Sequence, residues 1–276
     1  MQLEVLPSLP DGGSVSARRP PLLFVHGSWH GAWCWDEHFL RYFRDEGWAA
    51  HALSLRGHGK SEGRERLRRF RLWDYVADVL QIAEQLPAPP VLIGHSLGGA
   101  IVQKYLELPD APLAGAVLMA SVPPAGMAAG TVRLLGRHFW ATLAATARFS
   151  LWPLVATPAR AKDLLFSDAM PDAQAAAYQA KLQDESYFSY LDTLILNRPR
   201  PALRARSPLP PLLVVGAADD RIVLPQEVEA TAQAYDTVPV SFPGMAHDLM
   251  LEKGWEDVAK HILCWLSAQH FPPRGA

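Results

Sequence analysis

The chain has 276 residues, a formal net charge of −2, 49% apolar residues and 20% charged ones. That length fits one α/β domain or two smaller ones, and the apolar share sustains a large buried core and argues against wholesale disorder. The near-balanced charge leaves no positive field to hold phosphate backbones, so nucleic acid is not an expected partner.

The N-terminal stretch MQLEVLPSLPDGGSVSARRPP lacks a basic start followed by an apolar core, and no apolar run approaches the length of a membrane span. Neither secretion nor a membrane partner is expected. Cys34 and Cys264 lie far apart with no CxxC spacing, which points to reduced thiols and a cytoplasmic setting rather than disulfides or structural zinc. Short runs rich in Val, Leu and Ile predict buried strands over 22–25, 49–55, 91–93, 114–119, 212–215 and 238–242. Helical patterns fall between several of them, over 35–46, 72–85, 99–107, 227–235 and 255–269. The arginine-rich run RERLRRFR (64–71) leads into the second of these and reads as a solvated face, with an anionic ligand as the alternative.

Strands alternating with helices imply crossover units: an α/β fold with a mostly parallel sheet and helices on both faces. Between 123 and 201 the alternation stops. Only Ala-rich and aromatic-rich helical stretches remain, punctuated by Pro153, Pro158 and Pro171. Apolar residues such as Leu134, Trp140, Phe149 and Phe166 must bury a face, so 123–201 is expected to be a helical cap over the ligand edge of the sheet. The core domain is then 1–122 together with 202–276.

The stretch VLIGHSLGGA places Ser96 in a GxSxG pattern that chance alone could supply. Its setting, after an apolar strand run and before a helical one, is what makes it meaningful. A serine pushed out at such a turn takes a strained positive φ, so Gly94 and Gly98 must be small or strand and helix collide. The helix that follows points its positive end at the site, so the Leu97 amide is an expected oxyanion donor.

A hydroxyl attacks only when a base takes its proton, and the base needs an acid to orient it. Of ten histidines, His247 in VPVSFPGMAHDL sits just past the last strand, behind Pro243 and Gly244. His95 is expected to point away from the serine, and His261 and His270 belong to the terminal helix or its end. His26 and His30 are four apart, but Gly27 and Gly31 oppose the helix such a ligand pair needs, so no metal is expected. The acid lies in LLVVGAADDRIV, where Asp219 and Asp220 are both candidates. Asp220 is preferred because Ile222 and Val223 then follow it in the register usual for such loops.

A tetrahedral intermediate needs a second donor, and the turn after 22–25 in PLLFVHGSWHGAWCW brings the Ser28 amide to face the nucleophile. Trp29 and His30 are candidate substrate-binding residues on this loop; packing for the one and loop hydrogen bonding for the other are the plainer readings.

Taken together, VHGSWHGAWCW, LSLRGHGKS, IGHSLGG, VVGAADDRIV and PGMAHDLML resemble the successive motifs of the α/β-hydrolase superfamily across residues 22–252. The HGxxHGAWxW form is similar to a subgroup of small-molecule carboxylesterases, methyl esterases and hydroxynitrile lyases. The resemblance implies an eight-stranded sheet, a helical cap and a Ser-His-Asp site that uses no cofactor. Hydroxynitrile lyases carry lysine after the catalytic histidine, whereas Asp248 stands here. Epoxide hydrolases and haloalkane dehalogenases carry aspartate where Ser96 stands. Phosphate-loop and dinucleotide readings of Gly57, Gly59, Lys60 and Ser61 fail at Ser54 and Glu62. The expectation is hydrolysis of a small, largely apolar ester, thioester or amide. C–C bond hydrolysis, perhydrolysis and a non-catalytic binder are the alternatives, and the oligomeric state is not legible.

Overall fold

The computed structural model describes residues 1–10, 19–203 and 209–271. Seven strands, β1 (Glu4–Ser8), β2 (Leu22–Val25), β3 (Ala50–Ser54), β4 (Val91–His95), β5 (Gly115–Met119), β6 (Leu212–Ala217) and β7 (Pro239–Phe242), form one sheet in the order β1-β3-β2-β4-β5-β6-β7. Every neighbouring pair is parallel except β1 with β3. Strands β2, β4 and β5 are buried along their whole length, as strands covered by helices on both faces must be.

The resemblance implies eight strands; the described residues hold seven. Beyond β1 no further strand pairs among them. The backbone at its start is instead satisfied by the loop after β3, through Glu4 N–H to Ser61 Oγ at 2.8 Å and Glu62 N–H to the Gln2 carbonyl at 3.1 Å. Strand β1 itself carries no apolar run: EVLPS is half-buried and contains Pro7, which a sheet tolerates at its edge.

The helices before β5 are α1 (Trp33–Asp36), α2 (Phe39–Asp45), α3 (Leu72–Gln85) and α4 (Leu97–Tyr105). The single helix expected over 35–46 is thus two, because the chain leaves helical geometry at His38, φ −142°, whose ring stacks on Trp255 at 4.5 Å. Residues 64–69 form a 3-10 helix that exposes its arginines and buries Leu67, as a solvated face does.

Between β5 and β6 the chain is helical: α5 (Ala128–Arg137), α6 (Phe139–Arg148), α7 (Trp152–Val155), α8 (Pro158–Leu165), α9 (Asp172–Gln179) and α10 (Tyr187–Leu191), the last running on as a π-turn over Asp192–Leu196. This segment is stitched to the loops beyond the sheet. Asp192, fully buried, accepts Arg71 Nε at 2.8 Å and the Leu72 N–H at 3.0 Å, and Gln183 N–H bonds the Trp29 carbonyl at 2.9 Å. Leu134, Leu151, Leu154 and Phe166 are buried, but Phe139, Trp140 and Phe149 are half or more exposed, so the apolar content is only partly interred. The chain closes with α11 (Pro225–Ala234), β7 and α12 (Trp255–Ala268). No helix among the described residues is long and apolar enough to cross a membrane.

Candidate active site

Parallel strands share one direction, so their C-terminal ends deliver several loops to one edge. At the end of β4 the chain reverses into α4 through Ser96, which sits at φ 52°, ψ −114°. The turn is tight enough that its glycines admit no side chain. A Cβ on Gly94 would lie 2.4 Å from the Gly98 carbonyl oxygen, and one on Gly98 would lie 2.3 Å from the Val25 carbonyl oxygen. The small flanks expected from sequence therefore answer a backbone crossing between β2, β4 and α4.

Ser96 Oγ donates to His247 Nε2 at 2.8 Å, and His247 Nδ1 donates to Asp220 Oδ2 at 2.7 Å. All three residues are buried, Ser96 at the margin with 9% exposure. Asp220 is held by the N–H groups of Ile222 at 2.7 Å and Val223 at 3.0 Å, both on Oδ1, which leaves Oδ2 to the imidazole. Asp219 is exposed, and its N–H bonds the Met245 carbonyl. Of the two candidates, Asp220 is the one that meets His247. Burial lowers the His247 pKa, but the Asp220 charge and hydrogen bond, with Asp248 behind, outweigh it and hold the ring above its ordinary 6.5.

His95 lies behind this line, donating from Nε2 to the His247 carbonyl at 2.9 Å. Burial, then the charge of His247, pushes its pKa down to about 3. His26, which accepts the Leu55 N–H at 3.0 Å, is held well below the ordinary value by burial and then by His58. Both rings are neutral when folded and take up a proton on unfolding below pH 6.5. The unfolded state then binds more protons, so stability falls as pH drops from 6.5 towards 3; His247, shifted upward, is protonated in both states over most of that window and does not offset the fall. Thermal melts should show a Tm that declines steadily over that window, and a flat Tm would contradict it.

The loop after β2 carries Ser28, Trp29 and His30. Trp29 stands at φ 67° and donates from Nε1 to the Leu151 carbonyl at 3.2 Å. Among the described residues no acceptor pairs with the N–H of Ser28 or of Leu97. Of the two candidate substrate-binding residues on this loop, Trp29 lines the cavity and His30 does not, taking the hydrogen-bonding role that is its plainer reading. Its ring is 1% exposed, with Nδ1 on the Ser28 carbonyl at 2.7 Å and Nε2 on Asp248 Oδ2 at 3.1 Å. His95, His247 and Asp248 bring possible ligand atoms within 4.8 Å of one another, but both His247 nitrogens are committed to Asp220 and Ser96, which suits a hydrogen-bonded network better than a cation.

Ser28, Trp29, Ser96 and Leu97 open onto a narrow cavity of about 40 Å³ whose other walls are mostly apolar. Met127, Leu134, Leu151, Leu154, Tyr190 and Thr193 come from the helical segment; Leu134 is among the apolar residues that the sequence expects to be buried, but nothing in the sequence marks any of the six as cavity lining. Helical periodicity could place a segment here but not say which face turns inward. A wider depression of about 450 Å³ among Lys162, Asp163, Asp172 and Arg221 holds none of Ser96, Asp220 or His247, and its walls are ion-paired, as solvated surface is.

Solved structures of the same fold include Rv0554 from Mycobacterium tuberculosis, with TM-score 0.74 over 97% of this chain and 94% of that one at 22% identity. Among curated proteins, the chain is 35% identical over 116 residues to a bifunctional esterase/perhydrolase from Acinetobacter calcoaceticus, covering 39% of each. It is 36% identical over 107 residues to a probable esterase, PIR7A, of Oryza sativa subsp. japonica, covering 38% of this chain and 40% of that one. These matches thus span well under half of either relative. Residues 22–261 match the profile described as the alpha/beta hydrolase family. That span takes in the turn at Ser96 and the loops of Asp220 and His247, and the chain belongs to the alpha/beta hydrolase family.

Proposed function

We propose that the protein is a serine hydrolase that cleaves a small, largely apolar carboxylic ester, or the corresponding thioester or amide, through an acyl-enzyme. One observation carries this reading: the unbroken line Ser96 Oγ, His247, Asp220 at 2.8 and 2.7 Å. Ser96 Oγ attacks the carbonyl carbon while His247 Nε2 takes its proton; Asp220 keeps Nδ1 protonated and balances the imidazolium. The amides of Ser28 and Leu97 receive the oxyanion. The proton passes to the leaving alkoxide, and water, activated by the same imidazole, releases the acid and restores Ser96.

The cavity bounds the acyl group. At about 40 Å³ and walled mostly by apolar side chains, it favours a short acyl chain over a long one. Its lining by residues of the helical segment supports reading 123–201 as a cap that sets substrate choice. Among p-nitrophenyl esters, kcat/KM should be highest for acetate and fall roughly tenfold or more by hexanoate. Leu154→Ala should flatten that series. A hexanoate preference in the unaltered protein would contradict the size argument.

The free enzyme needs His247 neutral, and its pKa is raised, so the acid limb of kcat/KM should have its midpoint above 6.5. Asp220→Asn removes the carboxylate that raises it and should move that midpoint down as well as lowering the rate.

The test is a rate panel: esters graded by acyl length, an amide, a C–C substrate and an ester with hydrogen peroxide added. Ester turnover that Ser96→Ala abolishes supports the reading. Turnover of the C–C substrate alone would replace it. Hydrogen peroxide in place of water at deacylation gives perhydrolysis from the same acyl-enzyme, the second activity in the name of the Acinetobacter relative.

A further inference from the structure

Asp248 follows His247 and is fully buried, yet the proton relay above does not use it. Its Oδ2 faces His30 Nε2 at 3.1 Å and its Oδ1 lies 3.7 Å from His95 Nε2. His30 bonds the Ser28 carbonyl through its other nitrogen at 2.7 Å. One imidazole therefore spans the loop after β2 and the loop after β7, across a sequence separation of 218.

Both partners of that ring are acceptors, a carbonyl oxygen and a carboxylate. A lone carboxylate at this depth would be strongly unfavourable. Burial pushes the Asp248 carboxyl up, and His30, then His95 and His247, more than offset it and bring it below its ordinary value.

The turn being held is strained. Trp29, at φ 67°, is a bulky residue in the left-handed region, and such a conformation persists only where its surroundings over-determine it. The His30 N–H bonds the Gly27 carbonyl, His30 Nδ1 holds the Ser28 carbonyl and the Gln183 N–H holds the Trp29 carbonyl.

We propose that His30 and Asp248 form a buried positioning pair that clamps the Ser28 turn to the His247 loop and keeps the oxyanion amide and the general base in register. The proposal rests on the serine-hydrolase reading. Neither residue lines the cavity; they act through Ser28 and His247.

Charge and geometry are separable here. The groups facing His247 are Asp220, Ser96, His95 and Asp248; those facing Asp248 are His30, His95, His247 and, from α1, Cys34. Asp248→Asn removes the charge and keeps the strut, because its amide can donate to a neutral His30 Nε2 while Nδ1 still donates to Ser28. His30→Ala removes the strut.

In His30→Ala, kcat should fall roughly 10- to 100-fold with KM within about twofold, and amide exchange over 27–31 should quicken. Asp248→Asn should keep its plateau kcat within about fivefold and shift both the acid limb of kcat/KM and the NMR titration of the His247 ring to lower pH. The double variant should be no slower than His30→Ala alone. A folded His30→Ala protein with unchanged kcat and exchange, or an unmoved His247 titration in Asp248→Asn, would overturn the pair. Should His30→Ala not fold, His30→Gln, which cannot reach both acceptors, is read the same way. The exchange and NMR readouts need no turnover, so a wild-type protein inert towards esters would sink the hydrolase reading while these still decide the pair.

Discussion

Ser96→Ala is expected to lower ester kcat by roughly 10⁴- to 10⁶-fold. The variant loses the oxygen proposed to attack and nothing else of structural weight: alanine keeps the Cβ, and the hydroxyl's bond in the fold is the one to His247. Its Tm should therefore stay within a few degrees of wild type. His247→Ala should cost a similar factor, and the double variant no more than either single one, because the two act as a unit. Steady-state rates on the acetate ester check this. Retention of a tenth or more of the rate by Ser96→Ala would remove the serine from the chemistry.

Gly98→Val should unfold the protein or destabilise it by more than about 4 kcal/mol. Its Cβ would meet the carbonyl oxygens of Val25 at 2.3 Å and His26 at 2.6 Å, both backbone of β2 and the loop after it, which cannot step aside as a side chain would. The contrast is Gly136, in α5, where an added Cβ meets nothing within 4 Å. Gly136→Ala should stabilise by about 0.5–1 kcal/mol through helix propensity. Urea unfolding midpoints of the two variants separate these cases, and equal midpoints would mean that α4 does not cross β2 as closely as described.

The centre of the sheet is legible in the sequence because strands buried on both faces must be continuous apolar runs: Leu22, Leu23, Phe24 and Val25 can hardly be anything else. The edge is not. In β1, Pro7 and a half-exposed pattern hide a strand that pairs on one side only. The same asymmetry holds at the site. Ser96, Asp220 and His247 each follow a strand run, so their convergence could be foreseen from chain order. The preference for Asp220 over Asp219 rests on the register of Ile222 and Val223 behind it, and in the structure the N–H groups of those two residues bond Asp220 Oδ1. His30 lies on the loop that carries Ser28 and Trp29, but which way its ring points depends on a partner 218 residues away. Cavity residues such as Leu134 and Leu154 depend on how six helices pack, which periodicity does not encode.

The measurement that bears most directly on the account is covalent labelling with a fluorophosphonate, followed by intact mass and peptide mapping. If Ser96 is the proposed nucleophile, activated by His247 and facing two oxyanion donors, it should form one phosphonyl adduct per chain, on the peptide containing Ser96, with rate rising through the acid limb set by His247. Ser96→Ala and His247→Ala proteins should remain unlabelled. An unmodified wild-type chain, or an adduct on any residue other than Ser96, would contradict the assignment of Ser96 as nucleophile.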